Sequence, residues 1–322
     1  MESANTMLKG KSLLSLMELS TEEVLEILDF SMELKKKRKN GVYPHFLENK
    51  TLASLFMKPS TRTRISFNEA MYELGGHCID LTTNDLQLGR GETIEDTGKV
   101  LSRYVEVIAA RVFSHDDVLR LSKASTVPVI NSLSDLYHPC QILADLQTIR
   151  EKKNKLRGLK LAYVGDGNNV CNTLIIGGAL VGMNISIGCP SDYMPDFGTV
   201  KFAKEQSKKT GCNISILEAP REAVKDADVI YTDTFISMGS EKEKEKRLKT
   251  FIPKYQVNRE LVSNAKEDYI FMHCLPAHRK EEVTDEVIDG ENSVVFDQAE
   301  NRLHVQKAIL CKLLLDYSET EV

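Results

Sequence analysis

Short apolar runs alternate with amphipathic segments along most of this 322-residue chain, and few folds accept that pattern. Residues 51–57 (TLASLFM) make an apolar run of strand length. Residues 105–112, 127–133, 159–164, 185–188, 214–217, 229–232 and 269–274 read the same way. Helical patterns lie between them. Val24, Leu25, Leu28 and Met32 repeat on a helical period behind Ser20 and Glu23, whose spacing is that of a capping box. Ile65, Ala70, Met71 and Leu74 give a helix stopped by Gly75-Gly76, and residues 116–123 and 138–153 read as helices too. Strands alternating with helices imply parallel sheets wound by right-handed crossovers. The fold class is α/β.

At the usual ~150 residues per domain, the length allows two domains. The polar, glycine-marked stretch EKKNKLRG places the expected hinge near residue 150. The expected division is therefore 1–150 and 151–298, each a mostly parallel sheet flanked by helices. Residues 299–322 carry Leu303, Val305, Ile309, Leu310 and Leu313 on a helical period, and this C-terminal helix is expected to return to the first domain.

Charge and cysteine usage narrow the function class. Forty-two basic residues against 47 acidic ones leave a net charge of −5, so no general excess is present to hold a nucleic acid or an anionic membrane. The longest apolar stretch, 174–183, is far short of the ~18 residues of a membrane span. The start, MESANTMLKGKSLL, has neither a secretory apolar core nor an Arg-rich presequence. Seven scattered cysteines without a CxxC read as reduced thiols, so the expected location is the cytoplasm, with neither a disulfide framework nor a metal site. The run EKEKEKRLK at 241–249 reads as a solvated surface.

The densest chemistry is at residues 58–64, KPSTRTR, between a buried strand and a helix. Two guanidinium groups, three hydroxyls and an ammonium meet a helix N-terminus there, a combination suited to phosphate. His138-Pro139-Cys140-Gln141 opens the next long helix, with proline fitting its first position. Gly165-Asp166-Gly167-Asn168-Asn169 follows a strand, but Val170 stands where a dinucleotide fingerprint needs its third glycine. Either Asn168 or Asn169 is a candidate ligand, with helix capping the alternative. Asp233 follows another strand, in DTFISMG, where its carboxylate suits an ammonium group. His273 and Cys274 end a further strand. Side chains alternate across a strand, so these two are expected to point apart and not to share a metal.

These motifs, in this order, resemble the carbamoyltransferase family: STRTR, then QLGRGE at 87–92, then HPCQ with ADLQT. DGNN, DTFISMG, HCLP and AENR resemble its ornithine-using branch rather than its aspartate-using one. The likeness covers essentially the whole chain. It implies carbamoyl transfer from carbamoyl phosphate to the δ-amine of L-ornithine, giving citrulline and phosphate, with no cofactor and no metal. It also implies that Ser60, Thr61, Arg62 and Thr63 hold the phosphate and that Arg111 serves phosphate and carbamoyl oxygen. His138, Pro139, Cys140 and Gln141 would address the carbamoyl group, and Arg302 its oxygen. Asn169, Asp233, Ser237 and Met238 would fix ornithine, with Cys274 and Leu275 beside its δ-amine. Arg62, Arg111, His138, Cys274 and Arg302 would be the catalytic set. Gln87 would arrive from a neighbouring subunit of a homotrimer with shared active sites, and further assembly of trimers is left open. The Leu275-Pro276 bond would be cis. Some members carry tryptophan where this chain has Phe235.

Three other functions compete: carbamoylation of another amino acid such as aspartate, a nicotinamide-dependent oxidoreduction, and anion binding without turnover. DTFISMG argues against the first, and the incomplete glycine pattern against the second.

Overall fold

The computed structural model describes residues 8–87, 91–237, 241–316 and 319. It divides into two compact units, one of Met1–Ala144 with Asn301–Val322 and one of Asp145–Glu300. The capping box at Ser20 is present: its side chain accepts from the Glu23 amide while Glu23 reaches back, and helix α1 (Thr21–Lys39) follows.

The first unit then runs β1 (Thr51–Phe56), α2 (Thr61–Glu73), β2 (His77–Thr82), α3 (Ile94–Leu101), β3 (Val107–Arg111), α4 (His115–Ala124) and β4 (Val129–Leu133). All pairings are parallel, in the order β2-β1-β3-β4. The chain leaves β1 for β2 on one side and returns to β3 on the other, so β1 and β3 flank the point where strand order reverses. Loops leaving strands at such a point form a crevice suited to ligands. The motif STRTR follows β1, and Arg111 is the last residue of β3, in register with Phe56. Helix α5 (Pro139–Lys153) begins in this unit.

The second unit comprises β5 (Lys160–Val164), α6 (Asn169–Leu180), β6 (Asn184–Gly188), α7 (Phe197–Thr210), β7 (Ile214–Leu217), α8 (Pro220–Val224), β8 (Val229–Tyr231), α9 (Lys244–Phe251), α10 (Arg259–Val262), β9 (Ile270–Met272) and α11 (Asp285–Ile288). Its parallel sheet has the order β7-β6-β5-β8-β9. Here the reversal lies between β5 and β8, the strands that precede DGNN and DTFIS. Helix α6 is buried on nearly every face, which suits an apolar helix lying on a sheet core. The last helix, α12 (Val295–Leu314), has its residues from Asn301 onward in the first unit. Val305, Ile309, Leu310 and Leu313 are buried, each contributing about 1.5–3 kcal/mol by leaving water.

Two elements were not legible as apolar runs. Strand β2 is an edge strand with no fully buried residue, so HCIDLT shows no such run. Helix α3 is short and declares itself mainly through its Thr93 cap. Two expectations need correcting. Residues 61–64, expected to lie between the strand and the helix, are the first turn of α2. Strand β9 ends at Met272, so His273 and Cys274 lie beyond it.

Candidate active site

Ser60 caps α2 by position only: its backbone is extended and its side chain makes no capping bond. Its hydroxyl is therefore not spent on the helix, and the amides of the first turn stay directed at whatever the loop holds. Residues 56–61 also line a cleft of about 600 Å3 together with Arg64, Ile65, Thr82 and Thr83. Lys58, nearly buried, lies over the ring of Phe113 at 4.6 Å. Arg64 is turned to Asp80 at 2.7 Å, which separates its role from that of Arg62.

The other expected residues of the first unit converge on His138. It is buried, and its pKa is held well below the usual imidazole value by burial first, then by Arg302, Arg111 and Arg62. Three guanidinium groups thus act on one neutral imidazole. Arg302 donates from Nη1 to Oε1 of Gln141 at 2.7 Å and from Nη2 to Oγ1 of Thr63 at 2.9 Å. Those bonds join α12, the first turn of α5 and the first turn of α2. Cys140 is placed differently from its neighbours. Its thiol turns to the carbonyl of Asn131 at 3.8 Å, and burial pushes its pKa up to about 12. Only its main chain is left to meet a ligand. Gln87 is exposed, beyond β2.

In the second unit the carboxylate of Asp233 is the centre. Its Oδ2 accepts from Nδ2 of Asn168 at 2.8 Å, and its Oδ1 accepts from the thiol of Cys274 at 3.1 Å. Asn168 also caps α6, its Oδ1 accepting from the amides of Val170 and Cys171. The capping reading of this asparagine is therefore the one seen, and the same side chain also reaches Asp233. The side-chain oxygen of Asn169 accepts locally from the Val170 amide at 3.0 Å. Gly167 is required for packing, since a Cβ there would collide with the backbone of Met194 and Pro195. Ser237 is half-buried; Met238 lies outside the described residues.

The segment after β9 is fixed by its own histidine. Nδ1 of His273 accepts from the Leu275 amide at 2.8 Å, so the proton sits on Nε2 and is directed at Oε1 of buried Glu282, 3.2 Å away. Leu275 has φ of 58°, and the Leu275-Pro276 bond is cis. Beyond the strand, alternation no longer separates side chains. Ligand atoms of Asp233, His273 and Cys274 come within 4.8 Å of one another, contrary to the strand-face argument. Both imidazole nitrogens are nevertheless occupied by protein partners. His278, Glu281 and Glu282 make a second such group.

Several residues here carried no signal in the sequence. Arg247 sits inside the run 241–249 yet is buried, donating Nε to the Phe235 carbonyl at 2.6 Å and pairing with Asp166. Its guanidinium also lies over Tyr193. Burial raises the pKa of Asp166 to about 6 against the opposing effect of Arg247. Gln298 accepts from the His273 amide and donates to Asp145, which also receives the hydroxyl of Tyr231. Phe235, where the resemblance allows tryptophan, is buried and stacks on Phe251 with centroids 4.6 Å apart.

Residues 11–151 match the carbamoyl-phosphate-binding domain of aspartate/ornithine carbamoyltransferases, and residues 157–313 match their Asp/Orn-binding domain. The chain belongs to the aspartate/ornithine carbamoyltransferase family. Among relatives in this family, an ornithine carbamoyltransferase of Pyrococcus horikoshii is 55% identical over 307 residues, covering 95% of this chain and 96% of its own. One from Methanosarcina mazei is 54% identical over 304 residues, covering 94% and 99%. The solved ornithine carbamoyltransferase of Pyrococcus furiosus superposes with a TM-score of 0.93 at 54% identity, covering 96% of this chain and 98% of that one. No helix among the described residues is long and apolar enough to cross a membrane.

Proposed function

We infer that this chain transfers the carbamoyl group of carbamoyl phosphate to the δ-amine of L-ornithine, giving L-citrulline and phosphate in arginine metabolism. Asp233 is the observation that carries the choice of amino acid. Ornithine brings two ammonium groups and one carboxylate, aspartate the reverse. A carboxylate held by Asn168 and Cys274 attracts the first and repels the second. The domains proposed are 1–150 for carbamoyl phosphate and 151–298 for ornithine, with 299–322 returning to the first.

In the first unit, Ser60, Thr61, Arg62 and Thr63 take the phosphate with Arg111. His138, Gln141 and Arg302 address the carbamoyl group, assisted by the main chain of Pro139 and Cys140 and by Gln87 from a neighbouring subunit. In the second, Asp233, Asn169, Ser237 and Met238 hold the α-substituents of ornithine, and Cys274 and Leu275 lie beside the δ-amine. An amine of this kind has a solution pKa near ~10.4 and is mostly protonated at neutral pH. Cations such as Arg62 and Arg111 disfavour the ammonium and favour the nucleophile. The nitrogen lone pair forms the C–N bond, and negative charge gathers on the carbamoyl oxygen. Arg111, Arg302 and the neutral His138 donate hydrogen bonds to it. The C–O bond to phosphate then breaks, and the departing phosphate can take the proton the amine loses. The substrates supply nucleophile, electrophile and leaving group, so the chemistry calls for positioning and electrostatics rather than a cofactor.

The assembly that fits is a cytoplasmic homotrimer sharing active sites. Its support is an apolar face: Ile65 and Tyr72, seven residues apart on α2, and Ile79 on edge strand β2 are all exposed. The test of substrate choice is direct competition. With carbamoyl phosphate and equal ornithine and aspartate, citrulline is expected to dominate; carbamoylaspartate as the main product would overturn the reading.

A further inference from the structure

Helices α2 and α12 are fastened to each other at both ends of α2. At its start, Thr63 accepts from Arg302. At its last residue, Oε2 of Glu73 accepts from Nζ of Lys307 at 2.5 Å. The two acceptors are ten residues apart on α2, or roughly 15 Å along its axis, and the two donors five residues apart on α12. Glu73 and Lys307 are both almost wholly buried. The other carboxylate oxygen of Glu73 accepts from Nε of Arg38 on α1 at 2.5 Å, and Lys35 of the same helix donates to Asn301 of α12 at 2.8 Å. Burial raises the Glu73 pKa, but the bonds from Lys307 and Arg38 outweigh it and hold the group below its ordinary value.

A buried ion pair is a poor source of stability, because desolvating both charges offsets most of their attraction, and apolar replacements are often neutral. What a pair does supply is direction. The apolar stripe of α12 (Val305, Ala308, Ile309) would pack nearly as well after a small slide or rotation, whereas the Glu73–Lys307 bond would not survive one. We propose that Glu73 and Lys307 are positioning residues for Arg302, their ion pair fixing how α12 lies along α2 and hence where the Arg302 fork is held between Thr63 and Gln141. This rests on the reading that Arg302 acts on the carbamoyl oxygen. Displacements of the order of 1 Å at such a group cost up to ~100-fold in rate.

The test is a double-mutant cycle with kcat and both KM values measured for the native chain, Lys307→Met, Arg302→Ala and the double variant. Lys307→Met is expected to lower kcat by ~10-fold with Arg302 present and by less than ~2-fold once Arg302 is gone, since residues acting as one unit are not additive. The ornithine KM should change little. An equal loss in both backgrounds, or no loss with Arg302 present, overturns the proposal. If Lys307→Met alone does not fold, because one oxygen of the buried Glu73 carboxylate loses its Lys307 partner and only Arg38 is left to balance the charge, Glu73→Leu with Lys307→Met removes both charges and is put through the same comparison with the same outcomes. Native kcat in Arg302→Ala would show that the catalytic assignment of Arg302 itself is wrong, a failure distinguishable from that of Lys307.

Discussion

The thiol of Cys274 donates to Oδ1 of Asp233 at 3.1 Å, while the second oxygen of that carboxylate is taken by Asn168. Three segments that follow three different strands, β5, β8 and β9, thus orient one anion. A carboxylate fixed in this way meets an incoming ammonium without reorganising. Asp233→Asn keeps the shape and removes the charge. It should raise the ornithine KM by about 10- to 100-fold, as the loss of a charge-assisted bond of about 1.5–3 kcal/mol implies. Carbamoyl phosphate binding, measured separately, should change little. Equal losses for both substrates would assign Asp233 a structural role.

Arg62 acts on His138 alongside Arg111 and Arg302, and lies in the first turn of α2. Arg62→Lys retains the charge but loses the planar fork, so turnover should fall steeply with the fold intact by circular dichroism. Near-normal carbamoyl phosphate kinetics would remove Arg62 from the phosphate cradle.

His304, fully buried on α12, has its pKa lowered to about 3 by burial first, then by Lys307, Lys35 and Arg38. The unfolded chain takes up a proton below about pH 6.5, and the folded chain does not until near pH 3. The contribution of neutral His304 to stability is thus complete above pH 6.5 and is lost as the pH falls towards 3. The slope approaches about 1.4 kcal/mol per pH unit. Denaturant unfolding of the native chain and of His304→Gln between about pH 5 and pH 7 should show this difference in slope, steeper for the native chain. Parallel slopes would mean that His304 is charged when folded.

Gln87 is exposed and Arg302 is buried. If Gln87 serves a neighbour, Gln87→Ala and Arg302→Ala trimers are each impaired, yet refolding an equal mixture creates sites with both native side chains. Random assembly should restore about a quarter of sites. Activity no higher than the mean of the parents, with mixed trimers shown by mass spectrometry, would confine each site to one chain.

Much of this was legible in the sequence because local signals agreed with tertiary ones. The run at 51–57 is buried on both faces of a parallel sheet, so its apolarity survives in the linear pattern. Strand β2 failed that test because it lies at an edge and is partly solvated. Motif positions placed Arg62, Arg111, His138, Gln141 and Arg302 in one neighbourhood. Single residues were harder. Asn168 reaches Asp233 while capping a helix, in an orientation that only the fold supplies, and the sequence alone did not separate it from Asn169. Arg247 is hidden in a run of charges because its burial depends on Asp166 and Tyr193, far away in sequence. The separation expected of His273 and Cys274 failed because the strand stops two residues earlier than its apolar pattern suggests.

The central claim is that one carbon passes from phosphate to an amine. Carbamoyl phosphate labelled with carbon-13 should be supplied to the purified chain with ornithine, and the products followed by NMR and mass spectrometry. The account predicts that the label appears in the ureido carbon of citrulline, with one phosphate released for each citrulline formed. Label released as cyanate or carbon dioxide at the rate of phosphate, with ornithine unconsumed, would contradict it.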